Sequence, residues 1–245
     1  MFSYSSVVGM IIYLSGHTFP DIAIDVNYCA RYMFSTNRSH ELSLKRLVGY
    51  LKNTQEPGLV LYPNSYIFKV YAYPDADFSG MYGHEKHYDP TCANSCTSLI
   101  IIFSDCPILE ISKLQTETAL STTESEIIAL AHCCRELFPI IDISQSLGKE
   151  VGLPVGVRSM KVSVHEDNSG ALILARTLPT KFTPRSKYYA TKTIWFREDI
   201  NRRKITLLKI ATTEQMGDIF TKDLPKATFE YLHNKIMGWR LYPFS

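Results

Sequence analysis

Four acidic residues in four separate segments of the chain have side chains that could act together in metal chemistry. They are Asp75 in VYAYPDADFSG, Glu126 in ALSTTESEIIAL, Asp167 in VSVHEDNSGAL and Asp218 in TTEQMGDIFTK. Each lies where a strand is expected to end or a helix to begin, so a fold could bring all four carboxylates to one point. Several carboxylates at one point bind hard divalent cations through oxygen. The sequence therefore predicts a divalent-metal site with these four residues as ligands.

The distribution of charge indicates what such a site would act on. Residues 1–175 carry 12 Lys and Arg against 18 Asp and Glu, while residues 176–245 carry 14 against 6, a net charge of +8. A basic segment binds a polyanion, and metal ions held by carboxylates cleave phosphodiesters. The combination favours an enzyme of nucleic acids, although a solvated basic surface would give the same count.

The composition is typical of a globular protein. A chain of 245 residues with 45% hydrophobic content can bury one medium domain and a smaller one. The longest apolar stretches, Val7–Leu14 and Leu99–Phe103, are much shorter than the roughly 20 residues that span a bilayer. The first residues lack the features of a secretory signal, so we expect an intracellular protein with reduced cysteines.

Hydrophobic periodicity divides the chain into two predicted domains, residues 1–62 and residues 63–245. The first contains three short helices, and the second is an α/β domain with a mixed five-stranded sheet flanked by helices. The predicted strands are Ile67–Tyr73, Ser98–Phe103, Pro107–Lys113, Lys161–His165 and Lys204–Ile210. The predicted helices are Thr122–Leu147, Asn168–Ala175, Thr191–Asn201, Thr213–Thr221 and Thr228–Met237. Asn168 is expected to cap its helix.

Several long sequence motifs resemble one known family, the Pol polyproteins of Ty1/copia-type LTR retrotransposons. YSSVVGMIIYLSG, PDIAIDVNYCARY and LKRLVGYLKNT resemble the segment that links the reverse transcriptase to its ribonuclease H. DADFSG, SKLQTETALSTTESEIIAL, DNSGA and EQMGDIFTKDLP resemble successive landmarks of that ribonuclease H. The resemblance implies a ribonuclease H-like fold for residues 63–245 and a reverse transcriptase thumb or connection remnant for residues 1–62.

The family resemblance also implies an activity, which is endonucleolytic hydrolysis of the RNA strand of RNA–DNA hybrids during reverse transcription. The implied cofactors are two Mg²⁺ ions, with Mn²⁺ as a substitute. Asp75 would bridge both ions, Glu126 and Asp167 would complete one site, and Asp218 would complete the other. The implied partners are the hybrid and the rest of the Pol polyprotein, including the reverse transcriptase palm, but no membrane. The implied location is a cytoplasmic particle or the nucleus, without secretion.

Two assignments stay open at this stage. Glu124 is an alternative to Glu126, because helical geometry places the two residues on opposite edges of the apolar stripe; the family pattern favours Glu126. Asp77 is a less favoured alternative to Asp75. Basic residues in the C-terminal third are candidates for contacts with the nucleic-acid backbone, and these are Lys181, Arg185, Lys187, Arg202, Arg203 and Lys204.

Departures from the family pattern support an alternative function. Tyr188 and Ala190 replace a His and an Asp of the family pattern. In the stretch NSCTSL, a basic sequence motif of the family has lost its Lys and its Arg. The replaced positions are Asn94, Cys96, Leu99, Glu110, Tyr188 and Ala190. The alternative is a catalytically silent relic of a retrotransposon that keeps the fold and binds nucleic acid.

Overall fold

The computed structural model describes residues 3–54, 58–63, 68–80, 82, 90–153, 160–177 and 187–239. The strands in these ranges are β1 Lys69–Asp77, β2 Cys96–Phe103, β3 Cys106–Leu114, β4 Lys161–Glu166 and β5 Thr206–Lys209. The α-helices there are α1 Tyr4–Ser15, α2 Ala23–Arg31, α3 Arg38–Asn53, α4 Thr122–Glu150, α5 Ser169–Arg176, α6 Lys187–Arg202 and α7 Lys226–Ile236. None of the helices described here is long and apolar enough to cross a membrane.

The strands form one mixed sheet in the order β3-β2-β1-β4-β5. Strands β1, β2 and β3 are antiparallel neighbours, whereas β4 runs parallel to β1 and β5 runs parallel to β4. The parallel connections from β1 to β4 and from β4 to β5 pass through helices, as parallel connections require. The predicted mixed five-stranded sheet flanked by helices is therefore confirmed.

Strand β2 shows why both faces of this sheet are covered. Its side chains alternate between the two faces. Leu99 and Ile101 belong to a core shared with α4, α5 and α6, while Ile100 and Ile102 belong to a core shared with α7. All four side chains are buried, so the apolar run of β2 reflects a strand with helices on both sides.

The three N-terminal helices have a small core of their own and also contact the sheet. Their core includes Val8, Ile11 and Leu44, while α2 packs on β3 and Ala23 joins the second core of the sheet. The predicted boundary near residue 62 stays a prediction.

Two sequence predictions were wrong in ways that matter for the site. Strand β1 continues to Asp77, beyond the predicted end, although it contains Pro74. Its ladder with β4 ends at Ala72, so Pro74 lies where β2 is its one sheet neighbour, a position that tolerates proline. The helix predicted at Thr213–Thr221 is replaced by two 3₁₀ turns. The second, Met216–Phe220, is hereafter the Asp218 segment.

Candidate metal centre

A cleft forms at the carboxyl ends of β1 and β4, where the two strands separate. Their parallel ladder ends at the pair formed by Ala72 and Val164. Beyond it the side-chain amide of Gln215 donates hydrogen bonds to the carbonyl oxygens of Pro74, at 2.9 Å, and His165, at 3.4 Å. Gln215 is completely buried. Its side chain therefore bridges the diverging strands and fixes the floor of the cleft.

Three carboxylates meet in this cleft from three elements. Asp75 lies on β1, Glu126 lies near the start of α4, and Asp167 directly follows β4. Side-chain oxygens of the three lie within 4.8 Å of one another. The start of α4 is fixed by Ser121, whose hydroxyl accepts a hydrogen bond from the backbone N–H of Glu124 at 3.2 Å. These three elements thus build a compact group of oxygen ligands.

The loop after β4 is held in place by its own side chains and by a glycine. As predicted, Asn168 caps α5, accepting a hydrogen bond from the backbone N–H of Ala171 at 3.0 Å. A Cβ atom on Gly170 would lie only 2.8 Å from Oγ1 of Thr123 on α4. Without a side chain at Gly170, the starts of α4 and α5 can approach closely, which brings Asp167 beside Glu126.

Asp218 lies beside Asp75 but is not one of the three carboxylates that lie within 4.8 Å of one another. The Asp218 segment packs tightly on β1, where a Cβ atom on Gly217 would lie 2.8 Å from the Cβ atom of Asp75. Asp218 and Asp75 are both almost completely buried, and Nζ of Lys222 lies 2.8 Å from Oδ1 of Asp218 and 4.0 Å from Oδ1 of Asp75. The Thr221 hydroxyl also donates a hydrogen bond to Oδ2 of Asp75. Asp75 is therefore the central carboxylate of the cluster.

Two charged residues of the site were missed by the sequence analysis. Glu166, the last residue of β4, is completely buried, and its Oε1 accepts a hydrogen bond from the backbone N–H of Asn168 at 3.0 Å. The alternation of Val162, Val164 and Glu166 along β4 could have shown that this carboxylate faces inward. The second missed residue is Lys222, whose Nζ lies 2.8 Å from Oδ1 of Asp218.

The raised pKa values of the clustered carboxyl groups indicate that nearby cations do not balance their negative charges. Burial, followed by the charges of Glu166 and Asp75, raises the pKa of Glu126 well above its usual range. Burial likewise raises the pKa of Glu166 and of Asp75, although Lys222 opposes the change at Asp75. Burial, followed by the charge of Asp75, raises the pKa of Asp218 to about 7. Neighbouring carboxylates that repel one another in this way favour a bound cation.

The residues present fit a hard divalent cation. Oε2 of Glu126 and Oε2 of Glu166 are buried and have no hydrogen-bond partner among the described residues. Buried polar atoms normally have partners, so an orphaned carboxylate oxygen beside other carboxylates fits a metal ligand. The donor set is all oxygen, which suits Mg²⁺ and Mn²⁺ rather than a thiolate-binding metal. The cleft has a volume of about 440 Å³, and Asp77, Phe78 and Thr122 are among its lining residues.

The structure shows which of the two glutamates, Glu124 or Glu126, faces the other carboxylates of the site. Glu126 is 6% exposed and faces the other carboxylates, whereas Glu124 accepts a hydrogen bond from the backbone N–H of Leu120 at 2.8 Å. Glu124 therefore caps the start of α4. Asp77 lies at the edge of the cleft, outside the group of three, and burial raises its pKa.

The structure describes only some of the basic side chains that were predicted to contact nucleic acid. Lys181, Arg185 and the side chain of Lys187 lie outside the described residues. Arg202 and Arg203 form ion pairs with Asp199, and Arg203 also pairs with Asp142 at 2.8 Å.

Asp142 shows how far these arginine pairs lie from the metal centre. It is 16 residues beyond Glu126 on α4, about 24 Å along the helix axis at 1.5 Å per residue. A role for Arg202, Arg203 and Lys204 in substrate binding stays a prediction.

Fold and site together define a class of protein. A five-stranded mixed sheet in the order 3-2-1-4-5 places carboxylates after β1, at the start of α4 and after β4. This arrangement is the ribonuclease H-like fold that the sequence motifs implied.

Comparison with known proteins finds sequence similarity to Pol polyproteins of transposons from plants and yeast. The Pol polyprotein from transposon TNT 1-94 of Nicotiana tabacum is 30% identical over 227 residues, which are 93% of this chain and 16% of that protein. The Pol polyprotein from transposon RE1 of Arabidopsis thaliana is 28% identical over 240 residues, 98% of this chain and 15% of that protein. The Ty1-DR1 Gag-Pol polyprotein of Saccharomyces cerevisiae is 25% identical over 233 residues, 94% of this chain and 12% of that protein.

These relatives confirm the predicted relationship: the chain is homologous to one segment of the Ty1/copia-type Pol polyproteins. It spans 12 to 16% of their lengths. No protein-family profile matches the sequence.

Two solved structures are also similar to the chain. One is LC11-RNase H1 isolated from compost, at 16% identity and a TM-score of 0.40, covering 71% of this chain and 98% of that one. The other is the foamy viral protease-reverse transcriptase in complex with double-stranded DNA. It has 14% identity and a TM-score of 0.35, covering 91% of this chain and 36% of that one.

Proposed function

We propose that this chain is a metal-dependent ribonuclease H that hydrolyses the RNA strand of RNA–DNA hybrids. The observation that carries the proposal is the cluster of Asp75, Glu126 and Asp167 within 4.8 Å, with the Asp218 segment packed against Asp75. The similarity to Pol polyproteins supports a hybrid as the substrate, because reverse transcription produces hybrids. The rest of the Pol polyprotein, including its polymerase, is the proposed partner.

The proposed cofactors are two Mg²⁺ ions, for which Mn²⁺ would substitute. When bound, such ions provide a hydroxide at neutral pH and stabilise the charge that develops on the phosphate and the leaving oxygen. Asp75 would contact both ions, because it lies beside Glu126 and Asp167 and also against the Asp218 segment. Glu126 and Asp167 would hold one ion, and Asp218 would hold the other.

The chain itself fixes the ligands before an ion binds. The Thr221 hydroxyl donates a hydrogen bond to Asp75, and the Thr212 hydroxyl donates one to Oδ2 of Asp167 at 2.8 Å. These bonds restrict each carboxylate to one orientation, which reduces the reorganisation needed when ions and substrate bind.

Selection of RNA would depend on the 2′-hydroxyl, which distinguishes RNA from DNA at a given site. Glu126, at the start of α4 in the open cleft, is the proposed residue that recognises this hydroxyl. The basic C-terminal third would neutralise backbone phosphates on either strand.

The proposal is tested by cleavage of a labelled RNA–DNA hybrid in the presence of Mg²⁺. The purified chain is compared with Asp167→Asn and with Asp105→Asn, a matched control at an exposed turn between β2 and β3. We expect the wild type and the control to cut the hybrid and to leave an RNA–RNA duplex intact, whereas Asp167→Asn cuts neither.

Failure to cut by a folded chain contradicts the proposal. If that chain still binds the hybrid, the catalytically silent relic becomes the better description. Circular dichroism of each variant establishes that it is folded.

A further inference from the structure

Lys222 is a half-buried cation beside the acidic cluster. Its Nζ lies 2.8 Å from Oδ1 of Asp218 and 4.0 Å from Oδ1 of Asp75. Both carboxylates are almost completely buried, whereas the Lys222 side chain is 35% exposed. The ammonium group therefore sits at the mouth of the cleft, over the pair of carboxylates that the proposed function assigns to one of its two metal ions.

The charge of Lys222 divides the cluster into two unequal halves. In the half formed by Asp75 and Asp218, a positive charge is already in contact with a carboxylate. In the half formed by Asp75, Glu126 and Asp167, no ion pair to Glu126 or Asp167 occurs among the described residues, and Oε2 of Glu126 has no partner. A first divalent ion has a free place in that second half only.

Lys222 also borders a second acidic cavity. This cavity, of about 570 Å³, lies between α2, α3 and the Asp218 segment, and its lining includes Asp21, Asp25 and Asp223. Oδ1 of Asp21 is buried and has no hydrogen-bond partner in the described part of the chain. Burial, followed by the charges of Asp223 and Asp21, raises the pKa of Asp25. Arg46 also lines the cavity, so three carboxylates there face one cation besides Lys222.

We propose that Lys222 is a built-in counter-ion of the metal centre that makes the two ions bind unequally. The ammonium group occupies the Asp75–Asp218 half until a second divalent ion displaces it into the cavity lined by Asp25 and Asp223. The first ion then binds beside Glu126 and Asp167, and the second binds more weakly because it must displace Lys222. This inference rests on the proposed function, since it concerns the same site.

Coulomb repulsion sets the size of the effect. A divalent ion held by Asp75 and Asp218 would lie close to the ammonium group, which is 2.8 Å and 4.0 Å from oxygens of these carboxylates. Like charges that close oppose binding strongly, even at the effective dielectric of a protein surface. Lys222 can move away because its side chain is 35% exposed and also lines the second acidic cavity. The free energy needed to move Lys222 weakens the binding of the second ion by the same amount.

The test is a calorimetric titration with MgCl₂ in the absence of nucleic acid. The wild type is compared with Lys222→Gln, which removes the charge, and with Lys222→Arg, which keeps it. Lys226→Gln is the matched control, because Lys226 is 88% exposed and pairs with Glu230 on α7. We expect two binding events in the wild type. In Lys222→Gln the second should be tighter by about tenfold or more, while the other two variants bind like the wild type.

A double variant tests whether the Lys222 ammonium group moves into the cavity lined by Asp25 and Asp223. Asp25→Asn with Asp223→Asn removes the charges that would receive Lys222, so the second ion should bind about threefold more weakly or worse. Equal affinities in this double variant and the wild type would overturn the displacement into the cavity.

The remaining outcomes are also decisive. Identical titrations of Lys222→Gln and the wild type, or weaker ion binding by Lys222→Gln, would overturn the role of Lys222 while leaving the proposed nuclease intact. If the folded wild type binds no Mg²⁺ at all, both the inference and the proposed function are wrong. Circular dichroism before each titration identifies a variant that has unfolded.

Discussion

At the level of single residues, helical periodicity could not decide whether Glu124 or Glu126 is the candidate metal ligand. Glu124 and Glu126 are chemically equivalent and two positions apart, so helical periodicity left both open. In the structure Glu126 is buried against Asp75 and Asp167, whereas Glu124 binds the backbone N–H of Leu120. The distinction depends on the close approach of α5 to α4, which brings together residues far apart in the sequence.

The pair provides a matched test of the site. We expect Glu126→Gln to lower the rate of hybrid cleavage by about 100-fold or more, because a metal ligand that contributes a few kcal/mol is lost. Glu124→Gln should change the rate by less than about tenfold and cost about 0.5 to 2 kcal/mol of stability through the weakened helix start. Cleavage rates and urea denaturation of both variants measure these effects. Equal losses of activity would contradict the assignment of Glu126.

The raised carboxyl pKa values predict how the stability of the metal-free protein depends on pH. In the unfolded chain these carboxyls have pKa values of about 4, whereas that of folded Asp218 is about 7 and that of Glu126 is also raised. The folded protein therefore holds protons that the unfolded chain has released. Its free energy of unfolding should fall as the pH rises from about 4 through about 7.

Thermal melts with EDTA at several pH values in this range measure the dependence. Asp218→Asn should reduce the slope, and added Mg²⁺ should raise the melting temperature most at the upper end, because the ligands must be deprotonated to bind it. A melting temperature of the wild type that does not fall with pH, or a slope that Asp218→Asn leaves unchanged, would count against these shifts.

At the scale of the secondary-structure elements, the sequence predicted what is local and missed what is tertiary. Strand β2 and helix α4 were predicted nearly to their ends, because an apolar run and an apolar stripe are visible in the sequence itself. The segment after β5 was wrongly predicted as a helix. Gln215 adopts an extended backbone there, and its side chain bonds to β1 and β4, which no periodicity reveals.

Gln215 accordingly has a predicted structural role. Gln215→Leu would leave the carbonyl oxygens of Pro74 and His165 without this donor, and we expect a loss of about 1 to 3 kcal/mol in the free energy of unfolding. Mg²⁺ affinity should fall as well, because the Asp218 segment follows directly. Urea denaturation and calorimetry measure the two effects, with the half-buried Gln145→Leu on α4 as control. A loss no larger than that of the control would contradict this role.

At the scale of the whole molecule, the N-terminal helices are connected to the ribonuclease H-like part by a buried polar contact. Oδ2 of Asp21 accepts a hydrogen bond from the Tyr50 hydroxyl at 2.5 Å and lies 3.1 Å from Nε2 of His233 on α7. All three groups come from different elements, so the contact joins α3, the turn before α2, and α7. The boundary predicted at residue 62 thus separates two segments that pack on one another.

This contact predicts that the two segments unfold together. Asp21→Ala leaves the hydroxyl of Tyr50 and the ring of His233 without their acceptor and should cost about 2 to 4 kcal/mol. Asp21→Asn keeps an oxygen acceptor and should cost less. Urea denaturation followed by Trp fluorescence and by circular dichroism should give one coincident transition in the wild type. Two separate transitions would show that the segments fold independently.

The proposed activity is hydrolysis of the RNA strand of a hybrid by metal-assisted attack of water. The most direct measurement is the chemistry of the RNA ends formed from an RNA–DNA hybrid with Mg²⁺ and with EDTA. Attack by water with the 3′-oxygen leaving gives 3′-hydroxyl and 5′-phosphate ends, and we predict these ends with Mg²⁺ alone. Ends with a 2′,3′-cyclic phosphate, or cleavage that continues in EDTA, would rule out this metal-dependent mechanism.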